Sequence, residues 1–154
     1  MQKSVYKQLG DALYDALHAG VAVAPLTEQY PDMSIEDAYA VQQHMVARRL
    51  DDGERIVGWK IGVTSAAVMN MLGVYQPDFG CLTDTMVYNQ GESIPSDSLI
   101  QPKAEGEIAF VLKRNLQGPG ITVADVLMAT EGVMTCFEIV DSRIKDWRIK
   151  IQDT

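Results

Sequence analysis

Ala104-Glu105-Gly106-Glu107-Ile108-Ala109-Phe110-Val111-Leu112 is the stretch on which the reading of this chain turns. Its apolar, β-prone second half suits a buried strand, yet it opens on two carboxylates. Side chains at i and i+2 share a strand face, so Glu105 and Glu107 point the same way, and Gly106 leaves room between them. A second apolar run, Val133 to Val140, is interrupted by a third acid, Glu138. Carboxylates in such runs are costly to bury unless paired or coordinated. Three that converge suit a hard divalent cation such as Mg²⁺ or Mn²⁺, which prefers oxygen ligands. The spacing leaves a second reading open, in which Glu-x-Glu is a solvated pair on an exposed strand.

On the N-terminal side of this stretch, residues 3–19 have apolar positions at helical spacing, with Gly20 as the stop. A connector with Pro25 and Pro31 follows, over 21–33. Ser34 with Asp37 three positions on forms a capping box for a second helix. Ala38, Val41, Met45 and Leu50 make its inner face, Arg48 and Arg49 belong to a solvated end, and Gly53 closes it. The spacing predicts a strand over 55–62, with Val57, Trp59 and Ile61 on one face and Ile56, Gly58 and Lys60 on the other. The lysine inside Gly58-Trp59-Lys60-Ile61-Gly62 is either a functional group beside a closely approached backbone or a snorkelling edge residue. A short helix runs from Thr64 or Ser65 to Leu72. Tyr75 to Gly80 reads as a turn, with Asp78 as a turn acid. Short strands are expected at Cys81–Leu82 and Met86–Tyr88. Beyond the Glu105 strand come a turn over 115–120, a helix from Thr122 to about Ala129, and the Glu138 strand. Trp147, Ile149 and Ile151 form a last apolar alternation.

The chain has 154 residues, 47% of them apolar and 22% charged, which suits one globular domain with a real core. The expected division is a helical part over 1–54 and a β-part over 55–154. A net charge of −8 argues against nucleic acid or an acidic membrane surface as partner. No run of about 18 apolar residues predicts a membrane span, and the first residues lack a signal core. Cys81 and Cys136 are too few for a disulfide framework, so a reducing cytoplasm is the expected compartment. His18 and His44 fall on helices, His18 as a surface or helix-end residue and His44 as a structural one, which leaves Cys/His catalysis and a His-rich zinc site without support. No dinucleotide, P-loop or nucleophile-elbow motif is present.

Three blocks of the sequence, Gly58 to Ser65, Gln101 to Ala109 and Phe137 to Arg143, together resemble the hydratase/decarboxylase family of aromatic meta-cleavage pathways, within the fumarylacetoacetate hydrolase superfamily. The resemblance runs from the first helix to the last residue. It implies an α+β fold in which N-terminal helices pack on a mixed, curved β-roll with a divalent metal, Mg²⁺ or Mn²⁺, in its mouth. It implies that Glu105, Glu107 and Glu138 are the metal ligands and Asp78 the acid/base. It further implies that Lys60, Gly62, Thr64 and Leu72 bind substrate, with Lys60 over the substrate's carboxylate and 2-oxo group. Gln76-Pro77-Asp78-Phe79-Gly80 is similar to the hydratase branch; Glu-Gly-Glu in place of Glu-Ala-Glu points there more weakly. The expected reaction is addition of water to 2-hydroxypenta-2,4-dienoate, giving 4-hydroxy-2-oxopentanoate. The decarboxylase branch, which acts on 4-oxalocrotonate, and a non-catalytic assembly partner are the alternatives. A homo-oligomer and a complex with a pathway enzyme are the expected partners. Two departures stand out. Family members continue past Asp153-Thr154 with Val-Ala-Asp-Asn-Ala-Ser and further strands. The β-roll is therefore expected to be incomplete and the polypeptide truncated at its C-terminus. Thr135 also stands where the family pattern has proline.

Overall fold

The computed structural model describes residues 1–154. Its elements are α1 (Lys3–Ala19), α2 (Leu26–Gln29), α3 (Ile35–Asp51), β1 (Ile56–Gly62), α4 (Ala66–Leu72), β2 (Asp78–Thr83), β3 (Lys103–Leu112), α5 (Val123–Ala129) and β4 (Thr130–Val140). By contact the molecule divides into two compact units, residues 1–100 with 142–154, and residues 101–141. The strands of the expected roll form two antiparallel ribbons, β1 with β2 in the first unit and β3 with β4 in the second.

The first unit is built on the α1–α3 pair. Ser34 and Asp37 form both halves of the expected capping box. Asp37 also accepts hydrogen bonds from the Tyr6 hydroxyl and the Met1 amino group, tying the start of α1 to α3. The Tyr6 hydroxyl, the Ser34 N–H and the N-terminal ammonium together hold the Asp37 carboxyl well below the usual carboxylate range. Leu9, Leu26, Met33, Val41 and Ile144 form the core. Gly10 lies where the helices cross: a Cβ there would sit 2.6 Å from the His44 Cβ and 2.9 Å from the backbone of Met45 and Val41. His44 therefore belongs to the helix contact. His18 hydrogen-bonds the Tyr14 carbonyl one turn back and stacks on the Tyr14 ring, also a structural role.

Several expectations are corrected. The 21–33 connector contains α2, whose Thr27 donates through both N–H (3.0 Å) and hydroxyl (2.7 Å) to buried Asp153. This contact, 126 residues apart in sequence, is invisible to local pattern reading. Arg49 is buried (6% exposed) and Leu50 is the exposed residue (39%). Arg49 reaches inward because Glu54 (2.8 Å), Thr83 and Thr85 (both 3.0 Å) offer it oxygen partners. Burial works to raise the Glu54 carboxyl, but hydrogen bonds from Thr83, Arg49 and Thr85 outweigh it and hold it below its ordinary value. β2 begins at Asp78 rather than Cys81, so the acid stands on a strand and not in a turn. Met86–Tyr88 is not a strand; a 3₁₀ turn, Asp84–Met86, occupies its start. β4 begins at Thr130, directly after α5. Trp147, Ile149 and Ile151 do not form a strand. A 3₁₀ turn, Ile151–Asp153, lies there instead, and Ile149 packs against the helical core.

Gly10→Ala is expected to cost about 1–3 kcal/mol, because the added methyl meets backbone that cannot yield. The better helix propensity of alanine offsets only about 1 kcal/mol of that. Urea unfolding followed by circular dichroism reads the difference; an unchanged midpoint would contradict the close crossing.

Candidate functional site

The register of the β3–β4 ribbon gathers the three glutamates. Glu105 pairs directly with Glu138, and Glu107 with Cys136. Directly opposed residues share a face, as do residues i and i+2, so all three carboxylates stand on one face of the ribbon. Their oxygens lie within 4.8 Å of one another. Glu105 and Glu107 are exposed and Glu138 half-buried, so the cluster opens to solvent. Three like charges this close repel, and a divalent cation converts that repulsion into coordination. An all-oxygen donor set is the chemistry of a hard cation, and three carboxylates leave coordination positions for water or substrate. The donor set therefore fits a divalent metal.

The other predicted residues lie in the first unit, on the β1–β2 ribbon. Lys60 pairs with Gly80, and Gly62 with Asp78. Each glycine makes room for the side chain opposite it. A Cβ on Gly80 would stand 3.1 Å from Lys60 Cε, and a Cβ on Gly62 only 2.1 Å from Asp78 Oδ1. Lys60 thus lies over Gly80 and Asp78 over Gly62. Their heads meet diagonally, Lys60 Nζ to Asp78 Oδ2 at 3.7 Å. Asp78 Oδ1 is buried and has no hydrogen-bond partner. Such an atom is expensive to keep unless it is used, since a buried acceptor ordinarily finds a donor. The opposite face of β1 carries the apolar side chains, and Trp59 is 65% exposed there.

Thr64 and Leu72 are exposed, in the segment that leaves β1 and at the end of α4. The structure brings Lys60, Gly62 and Asp78 together; it shows no such clustering for Thr64 or Leu72. Between Gly62 and Thr64, Val63 adopts a φ of 54°, a left-handed conformation that a β-branched residue rarely takes. Strain of this kind costs about 1–3 kcal/mol and collects at functional sites. Sequence reasoning misses Gly80, which reads as a turn glycine, as the floor under Lys60. The clue lies in treating Gly58-x-x-x-Gly62 and Gly80 as facing positions of one hairpin, which needs the register.

Gly62→Ala is expected to leave the fold intact and push the Asp78 carboxylate off its seat. A crystal structure of the variant should show the Lys60–Asp78 separation beyond about 4 Å, the limit of a useful ion pair. A pair still at its present distance would contradict the seating.

The fold and site can be set beside known proteins. The sequence is 63% identical over 155 residues to 2-hydroxypent-2,4-dienoate hydratase of Pseudomonas putida, covering 100% of this polypeptide and 70% of that protein. It is 57% identical over 154 residues to 2-hydroxyhexa-2,4-dienoate hydratase of Comamonas testosteroni, covering 99% of this polypeptide and 58% of that one. Among solved structures, 4-oxalocrotonate decarboxylase from Pseudomonas putida G7, complexed with magnesium and adipate, matches with a TM-score of 0.92 at 32% identity. That match covers 99% of this polypeptide and 58% of the decarboxylase. The polypeptide thus spans 58–70% of the length of these three proteins. No family model matches it. No helix is long and apolar enough to cross a membrane. With that identity along its whole length and the fold of the related decarboxylase, the chain belongs to the 2-hydroxypentadienoate hydratase group of the hydratase/decarboxylase family, in the fumarylacetoacetate hydrolase superfamily.

Proposed function

We propose that this polypeptide supplies the machinery of a divalent-metal-dependent hydro-lyase that adds water to 2-hydroxypenta-2,4-dienoate, giving 4-hydroxy-2-oxopentanoate. The observation that carries the reading is the Asp78 carboxylate, seated over Gly62 beside Lys60 with one buried oxygen left unpaired. The hydratase names of the relatives at 63% and 57% identity support it.

In this reading Glu105, Glu107 and Glu138 hold the cation. When bound, it supplies Lewis-acid polarisation of the substrate's C1 carboxylate and C2 oxygen. The protein's own groups move the protons and balance the charge. Asp78 Oδ1 is the atom free to exchange a proton, since Oδ2 faces the Lys60 ammonium. Ketonisation removes the proton from the C2 hydroxyl and places one on C5, leaving a C3–C4 double bond conjugated to the 2-oxo group. Water then adds its oxygen at C4, and C3 takes up a proton, so the sum is one water gained. Asp78 serves as acid and base in these transfers, which require a reach of about 2.6–3.2 Å in the complex. The Lys60 ammonium offsets the negative charge that builds on the C2 oxygen. Gly62, Thr64 and Leu72 are assigned to the substrate's surroundings.

Asp78→Asn is expected to lower kcat by about 100-fold or more, the range for losing a general acid/base. Glu107→Gln should abolish metal-dependent turnover and weaken Mg²⁺ binding measured by titration calorimetry. Loss of dienoate absorbance follows the reaction; unimpaired turnover in either variant would remove that residue from its role. Faster release of carbon dioxide from 4-oxalocrotonate than hydration of the dienoate would move the protein to the decarboxylase branch.

We further infer that the protein works as a homo-oligomer. Ile108, Phe110, Val133 and Phe137 share the face of the β3–β4 ribbon opposite the glutamates and are all more than half exposed, an apolar surface unusual for a monomer. Sedimentation at micromolar concentration should find a species heavier than the 17.0 kDa chain; a monomer at every concentration would refute the inference.

A further inference from the structure

We propose that Tyr39 and Gln42 of α3 are positioning residues for Asp78, acting by gripping the backbone of its neighbour Phe79. The proposal rests on the acid/base role given to Asp78 above. Phe79 pairs with Ile61 across the β1–β2 ribbon, but its own polar groups are taken by the helix. Its N–H donates to the Tyr39 hydroxyl at 3.1 Å, and its carbonyl accepts from Gln42 Nε2 at 3.4 Å. Residues i and i+3 lie on one face of a helix, so the two side chains address the donor and the acceptor of a single strand residue. A ribbon of two strands leaves β2 with an outer edge whose N–H and C=O groups are open to other partners. Here helix side chains supply them at one residue, the one beside the acid.

The placement matters because Asp78 is the first residue of β2, where a strand frays unless it is tied down. Asp78, Tyr39 and Gln42 also line a common cavity of about 50 Å³. Space of that size admits a water beside the carboxylate. The helix is a firm anchor. Its N-terminus is doubly capped through Ser34 and Asp37, and Val41, between the two gripping residues, is 1% exposed in the core. Proton transfer demands accurate placement, and a shift of about 1 Å at a reacting group can cost around 100-fold in rate. Neither Tyr39 nor Gln42 is asked to touch substrate; each acts through the strand.

The test uses the full polypeptide with Tyr39→Phe and Gln42→Leu, singly, together, and in an Asp78→Asn background. The expected result is a fall in kcat of about tenfold for each single variant. KM should change by less than about twofold, because ground-state binding is untouched. The thermal midpoint should stay within a few degrees of the parent. In the Asp78→Asn background the same substitutions should lower kcat no further, since their effect passes through the carboxylate. A crystal structure of the double variant should show Asp78 drawn away from Lys60. Wild-type kcat in the single variants while Asp78→Asn is impaired, an equal loss in the Asp78→Asn background, or an unmoved Lys60–Asp78 pair in the double variant would each overturn the grip. Unimpaired Asp78→Asn would instead sink the acid/base role, and the proposal with it.

Discussion

The opposition of Glu105 and Glu138 across the β3–β4 ribbon is the constraint around which the candidate metal site is arranged. Directly opposed carboxylates repel, and a sheet would ordinarily avoid the pairing. The register leaves no alternative. From Lys103 against Val140 to Val111 against Gly132 the pairing runs without a break, and irregularity enters only at Leu112. A slip of one residue would turn Glu138 to the other face and scatter the three acids. The repulsion is therefore built into the fold, and a divalent cation would relieve it.

The β1–β2 ribbon obeys the same logic with a different device. Two charged side chains need space on a ribbon face, and the residues opposite them are glycines. Lys60 and Asp78 take up that space and meet diagonally. Behind the ribbon, α3 links the site to the core of the unit. It crosses α1 closely at Gly10, buries Arg49 among Glu54, Thr83 and Thr85, and reaches Phe79 through Tyr39 and Gln42. Packing, a buried ion pair and an edge contact thus follow one another along a single helix.

The pairing of Glu105 with Glu107 is legible in the sequence because strand periodicity is local: i and i+2 share a face whatever the rest of the molecule does. The helix caps at Ser34 and Thr122 are legible for the same reason. Arg49 escapes such reading because its partners come from 5, 34 and 36 residues away, and a basic residue near a helix end looks solvated without them. Asp78 reads as a turn residue because Pro77 and Gly80 flank it, and both favour turns by propensity. Pairing with β1 overrides that preference, as tertiary contact commonly does with short strands.

By itself the amino-acid sequence determined the main helices, the two acidic strands and the family to which they belong. Each of those depends on neighbours within a turn or two, or on blocks of letters kept in order. Only tertiary structure decided which residues face one another: Glu138 against Glu105, Asp78 over Gly62, Lys60 over Gly80, Asp153 against Thr27. Register and long-range hydrogen bonds are set by how whole elements pack, and no local pattern carries that information.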